Sequence, residues 1–256
     1  MHIGMVTAST PCVLVLAGLD PSGGAGLLAD AEAIRASGAR PLCIATALTA
    51  QTTRRLHGFQ PLAPALALQT ARALLEEEPV RAVKVGMVGT PAMAAAIAGL
   101  LADARLPAVV DPVLTASSGT ALFQGGAAAA VSAYSALWPH AVLTPNAPEA
   151  RVLLGLPEEP RDPEALERAA RELVRRGAKA ALVKGGHGEG AEAVDVLCMG
   201  ESCERLRATR VPGPGARGTG CRLASALASG LALGKPLSEA ARAAKELVTG
   251  YLRSEG

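Results

Sequence analysis

The segment richest in chemistry is Gly215-Ala216-Arg217-Gly218-Thr219-Gly220-Cys221-Arg222-Leu223-Ala224. A glycine-rich loop runs directly into an apolar helical stretch, 221–232. The backbone N–H groups of such a loop, with the positive end of a helix behind them, hold an anion. Cys221 falls in the first helical turn, where a thiolate is favoured and a depressed thiol pKa is expected. A free cysteine is often a small buried hydrophobe. That account suits Cys12, Cys43 and Cys198, but fits Cys221 poorly because its position faces the anion loop.

Six further segments carry groups that do chemistry. Gly18-Leu19-Asp20-Pro21-Ser22-Gly23-Gly24-Ala25-Gly26 holds more glycines than a tight turn needs. Its spacing is neither the dinucleotide fingerprint nor a P-loop, so a ligand-facing loop of another kind is favoured. Gln51 ends a strand-like run, and its amide offers a donor and an acceptor together, as an aminopyrimidine edge requires. Met87 follows Lys84-Val85-Gly86, with ordinary core as its default reading. Asp111 stands at a strand terminus, able to contact metal-bound water or to cap the next segment. Asn146 and Glu149, three apart at a helix start, suit hydrated Mg²⁺ bridging phosphates. They suit a capping box equally well. Lys184 ends a strand beside two glycines, within reach of a nucleotide phosphate, and His187 reads as a turn residue.

These segments need elements to hold them. Strand patterns fall at 13–17, 41–48, 82–85, 108–110, 141–143, 180–183, 194–199 and 204–209, the last two as an antiparallel pair. Helical patterns fall at 27–37, 64–77, 91–104, 125–137, 147–154, 163–176, 221–232 and 238–252, with Ser238 as the last N-cap. Strand–helix alternation with continuously apolar strands predicts a mostly parallel sheet covered on both faces, within one domain spanning 1–256. Ligands in such folds sit beyond the carboxyl ends of the strands, where the segments above lie.

Composition narrows the function. Half of the 256 residues are hydrophobic, which excludes disorder. The apolar stretches 92–104 and 222–233 stop short of the roughly 20 residues of a membrane span. Twenty-five Lys and Arg against 23 Asp and Glu, with few aromatics, give no footprint for nucleic acid. Five cysteines without ligand spacing argue against a disulfide framework or structural zinc. The N-terminus does not read as a signal peptide, so a reducing cytoplasm is expected.

Taken in order, the segments resemble the hydroxymethylpyrimidine/phosphomethylpyrimidine kinases of thiamine biosynthesis, in the ribokinase-like superfamily. Gly18–Gly26 with Asp30 is similar to that family's G-[ST]-D-P-S-G-G-A-G…A-D opening. TALTAQTT, KVGM, DPV…SG, TPNxPEA, VKGGH and GTGC follow in the family's order from Val13 to the last helix. The resemblance implies a three-layer α/β ribokinase-like fold and ATP-dependent phosphorylation of a hydroxymethylpyrimidine and its monophosphate. It implies that Gln51 bonds the pyrimidine, that Gly18, Ala25, Met87 and Val113 line its pocket, and that Asp30 helps bind substrate. Gly218, Thr219 and Gly220 would form the anion hole, Cys221 would be the base and Lys184 would stabilise the transferring phosphoryl group. Asn146 and Glu149, with Asp111, would organise Mg²⁺. It also implies a homodimer.

Two departures stand beside the anion loop: Arg217 replaces the family's His and Arg222 its Thr. These cations would grip an extra phosphate, shift substrate choice or mark a relaxed constraint. A pyridoxal-type kinase on the same scaffold, and a pyrimidine-binding sensor without catalysis, are the alternatives. Retention of Gln51 favours the pyrimidine, and retention of Cys221, Lys184, Asn146 and Glu149 argues against a sensor.

Overall fold

The first strand, β1 (Cys12–Leu19), is apolar throughout, and all of it except Leu19 is buried. Its side chains alternate: Leu14 and Leu16 enter one core, Val13, Val15 and Ala17 another. A strand that buries both faces needs a layer on each side. The computed structural model describes residues 10–116, 119–186, 190–213 and 216–255. The other strands are β2 (Arg40–Gln51), β3 (Leu56–Pro61), β4 (Val80–Val85), β5 (Ala108–Val110), β6 (Val142–Leu143), β7 (Ala180–Val183), β8 (Glu192–Met199) and β9 (Ser202–Thr209).

They form one sheet in the order β3-β2-β1-β4-β5-β6-β7-β8-β9. From β2 to β7 every pairing is parallel; β3 at one edge and β8 and β9 at the other pair antiparallel. Helices α2 (Pro64–Glu77), α3 (Pro91–Ala104), α4 (Gly126–Ser135), α5 (Ala147–Leu154) and α6 (Pro163–Arg175) pack on one face. Helices α1 (Gly26–Ala36), α7 (Thr219–Ala232) and α8 (Leu237–Glu255) cover the other. This is the three-layer architecture expected. Among the described residues no helix is long and apolar enough to cross a membrane.

Three expectations are corrected. Leu56–Pro61 forms β3, which the sequence hid because its short run contains Gly58 and ends in Pro61. Helix α8 already includes Leu237, and the Ala240 N–H donates to the Pro236 carbonyl at 2.9 Å, so Ser238 lies inside the helix rather than capping it. Cys198 and Cys203 are joined by a disulfide. The β8–β9 hairpin sets these two residues directly opposite each other, so pairing register succeeds where ligand spacing gave no signal.

Candidate active site

Parallel strands end at the same edge of a sheet, so the segments that follow β1, β4, β5, β6 and β7 gather there. With Gln51 at the end of β2 and the start of α7, they enclose a cavity of about 780 Å³. Gly18, Ala25, Gln51, Met87, Asp111 and Val113 line it. So do Asn146, Glu149, Lys184 and the run Gly218–Cys221. Asp30 alone of the expected site residues does not. His187, Ser117 and Ser118 of the DPV…SG stretch, and Gly215 before the anion loop lie outside the described residues.

The anion loop is built on close backbone approach. Gly218 caps α7 with φ +70°, and a Cβ there would collide with the Gly24 carbonyl oxygen. The loop after β1 and the loop before α7 thus pack main chain against main chain, which only glycine permits. A Cβ on Gly220 would reach within 2.9 Å of Lys184 Nζ, so the ammonium lies against the loop.

Lys184 donates to Asp111 Oδ1 at 2.8 Å, and the Thr144 hydroxyl donates to the same oxygen at 3.2 Å. Burial opposes the lysine charge, but Asp111 and Glu149 outweigh it and raise the Lys184 pKa to about 12. It is a cation at any working pH. Beyond it, Asp195 accepts from the Gly185 N–H at 2.9 Å and from Lys245 at 2.8 Å, fixing the backbone that follows β7.

Asn146 and Glu149 lie at the start of α5. The capping box is formed: Asn146 Oδ1 accepts from the Glu149 N–H, and Glu149 Oε2 accepts from the Asn146 N–H, each at 2.8 Å. Both residues also face the cavity. Burial, opposed by Lys184, raises Glu149 to about 7.

Cys221 is placed as expected, in the first turn of α7 and on the cavity wall, but its acidity is not. Burial raises the thiol to about 11, against the opposing pull of Lys84. The helix terminus alone does not overcome desolvation. Asp30 sits beneath the site, fully buried, where it receives Lys84 Nζ at 2.7 and 2.8 Å and the Ser225 hydroxyl at 2.8 Å. It is a partner of Lys84 rather than a wall of the cavity. Lys84 does line the cavity and was missed in the sequence. The signal was a lysine inside the apolar run Ala82-Val83-Lys84-Val85, since a charge on a buried strand requires a partner.

The two arginines differ. Arg222 is buried, donates to the Gly24 and Arg217 carbonyls at 3.3 Å and to Glu32 at 2.7 Å, and lies 4.0 Å over the Tyr251 ring. It ties helices together and does not reach the cavity. Arg217 does line the cavity, donating to Asp20 at 3.0 Å and to Ser22 Oγ and the Thr52 carbonyl at 3.1 Å.

The cavity has two ends. At one, Gln51 stands near a small apolar cluster of Met87, Leu56, Leu122 and Ala47, against which Val113 packs. Thr46 donates to the Met87 carbonyl, and a Cβ on Gly18 would lie 2.7 Å from Met87 Sδ, so glycine leaves the thioether its place. Met87 is therefore both core and wall. At the other end lie Ala193, Ala208, Val211 and Leu252, an apolar slot next to the anion loop.

A glycine-flanked loop at a helix start, beside Lys184, in a cavity at the carboxyl edge of this parallel sheet defines a small-molecule kinase of the ribokinase-like class. Comparison with known proteins gives the family. The phosphomethylpyrimidine kinase pattern matches residues 20–256. The hydroxymethylpyrimidine/phosphomethylpyrimidine kinase of Streptomyces coelicolor is 41% identical over 243 residues, 94% of this chain and 88% of that protein. That of Rhizobium meliloti is 41% identical over 237 residues, 92% of this chain and 88% of that one. Among solved structures, phosphomethylpyrimidine kinase from Clostridium difficile superposes with a TM-score of 0.78 at 32% identity, covering 95% of this chain and 99% of that one. An ADP complex of Bacillus subtilis pyridoxal kinase superposes at 0.81 with 30% identity, covering 94% and 91%. The chain belongs to the phosphomethylpyrimidine kinase family and is a phosphotransferase.

Proposed function

We propose that this protein transfers the γ-phosphoryl group of ATP first to 4-amino-5-hydroxymethyl-2-methylpyrimidine and then to its monophosphate, in thiamine biosynthesis. The observation that carries the reading is one cavity lined by Gln51, by the 218–220 loop and by Cys221 together. The whole chain acts as one kinase domain, in the cytoplasm and as a homodimer, which light scattering at working concentration tests.

Phosphoryl transfer asks the protein mainly for positioning and charge stabilisation. Gln51 orients the pyrimidine by its amide, while Gly18, Ala25, Met87 and Val113 close around the ring. The N–H groups of Gly218, Thr219 and Gly220 hold the transferring phosphoryl oxygens, and Lys184, fixed as a cation by Asp111, balances their charge. Cys221 acts as base in its thiolate form, taking the proton from the acceptor hydroxyl or phosphate and becoming the thiol.

The donors suit Mg²⁺: Asp111, Asn146 and Glu149 offer hard oxygens on the cavity wall. Among the described residues no cluster of three His, Cys, Asp or Glu side chains forms a cage. An ion here would therefore be shared with phosphate oxygens and water, the usual habit of Mg²⁺. When bound, it neutralises charge on the β- and γ-phosphates.

A coupled assay with Mg-ATP and the pyrimidine or its monophosphate tests the reading. Turnover on both that disappears in Cys221→Ala supports it; no turnover at high enzyme concentration defeats it. The likeness to pyridoxal kinases favours one second reading, a kinase acting on pyridoxal, and relative turnover on the two alcohols decides between them.

A further inference from the structure

We infer that Lys84 is a positioning residue for the base: its buried ammonium, held beneath the anion loop by Asp30, which Ser225 anchors in turn, favours the thiolate of Cys221. This inference rests on the assignment of Cys221 as base.

The geometry begins on β4. Lys84 is fully buried, and a Cβ on Gly86 would lie 2.7 Å from its Nζ, so the side chain runs toward the carboxyl end of its strand, where the cavity opens. There it lines the same cavity as Cys221. Its partner Asp30 also receives the Ser225 hydroxyl, 2.8 Å away. Ser225 lies four residues after Cys221 on α7, which places the two side chains on one helix face, a turn apart. One face of α7 therefore carries the thiol and the anchor of the ion pair below it.

Stability alone does not account for the pair. A buried ion pair is commonly no better than apolar residues of similar volume, and the other buried residues of β4, Val80, Ala82, Val83 and Val85, are apolar. The charges facing Cys221 come from four elements: Lys84 on β4, Asp30 on α1, Asp111 after β5 and Lys184 after β7. Lys184 is committed to Asp111. Lys84 is the strongest influence favouring the charged thiol, with the Gly26 N–H adding to it, while Asp30 and Asp111 oppose it.

The test reads thiol chemistry rather than turnover. Cys43→Ala removes the exposed thiol, and Cys12 is buried, so iodoacetamide reports on Cys221, with modification located by peptide mass spectrometry. In that background at pH 8, Lys84→Met is expected to slow alkylation at least about tenfold, since one pKa unit is tenfold in thiolate. Asp30→Asn, which removes the competing carboxylate and leaves Lys84 facing Asp111, is expected to accelerate it at least about threefold. If Lys84→Met does not fold, Asp30→Asn alone decides. Rates within about twofold of the parent in the folded variants would overturn the inference, because a purely structural pair predicts no opposite-signed change. Turnover on the pyrimidine is measured separately. Its absence would remove the proposed function and leave the alkylation result standing, and its presence with unmoved alkylation would remove this inference alone.

Discussion

Arg217 and Asp20 stand 197 residues apart in the chain and form an ion pair of 3.0 Å. The same guanidinium reaches Ser22 and the carbonyl of Thr52, the residue after Gln51. One side chain thus joins the loop after β1, the β2–β3 turn and the anion loop. Its partners lie in the two loops that border the pyrimidine end of the cavity. Arg217→Ala should raise KM for the pyrimidine about tenfold with a smaller effect on kcat, as expected for losing charge-assisted bonds of ~1–3 kcal/mol. Steady-state kinetics with the pyrimidine varied would check this.

Removing the base should leave binding intact. Cys221→Ala is expected to lower kcat about 10²–10⁴-fold, the usual worth of a general base. Nucleotide affinity by calorimetry should change little, because the 218–220 loop is main chain. A parallel loss of nucleotide affinity would show that the substitution had disturbed the loop instead.

Gly218 tests the loop itself. Gly218→Ala places a side chain at φ +70° against the Gly24 carbonyl. A strained backbone position of this kind costs about 1–3 kcal/mol. Both denaturation midpoint and kcat should fall, whereas Gly250→Ala on α8, where a Cβ meets open space, should cost neither.

The raised thiol has a thermodynamic consequence. A cysteine with an ordinary pKa of 9.0 unfolded and about 11 folded keeps its proton longer in the native state. Between those values the native protein binds more protons, so stability falls as pH rises through that window. Below pH 9 the two states are equally protonated and the effect vanishes. Cys221→Ser should therefore lose less stability than wild type between pH 8 and pH 10.5, by at most about 2 kcal/mol in urea unfolding. An equal loss in both proteins would place the thiol pKa near its ordinary value.

Lys184 carries the sharpest electrostatic prediction. Lys184→Met strips the charge that faces the anion loop and leaves Asp111 unpaired where it is only 3% exposed. Loss of such a preorganised charge costs about 10²–10³ in kcat. Lys184→Arg, which restores charge but not the compact ammonium, should recover part of it. Single-turnover kinetics at saturating Mg-ATP separate this from binding.

The lysines show what the chain declares by itself. Lysine occurs only at 84, 179, 184, 235 and 245. Lys84, Lys184 and Lys245 pair with Asp30, Asp111 and Asp195 in the interior. The burial of Lys84 was foreshadowed by the apolar run that contains it, but the three partners lie 50 to 73 residues away and no local pattern names them. The same holds for the half-cystine pair, invisible to spacing rules and obvious once β8 faces β9.

Sequence alone determined the layered α/β fold, because continuous apolar strands admit only a sheet covered on both faces. It also determined the glycine loops, because close backbone approach has few residue solutions, and with them the family and most of the cavity wall. Only the tertiary structure decided the electrostatics: that Asp30 lies under the site and holds Lys84, that Arg222 is buried against Tyr251 away from the cavity while Arg217 lines it, and that burial outweighs the helix terminus at Cys221. Charge depends on distance and desolvation in three dimensions, and neither quantity is written in the spacing of residues along a chain.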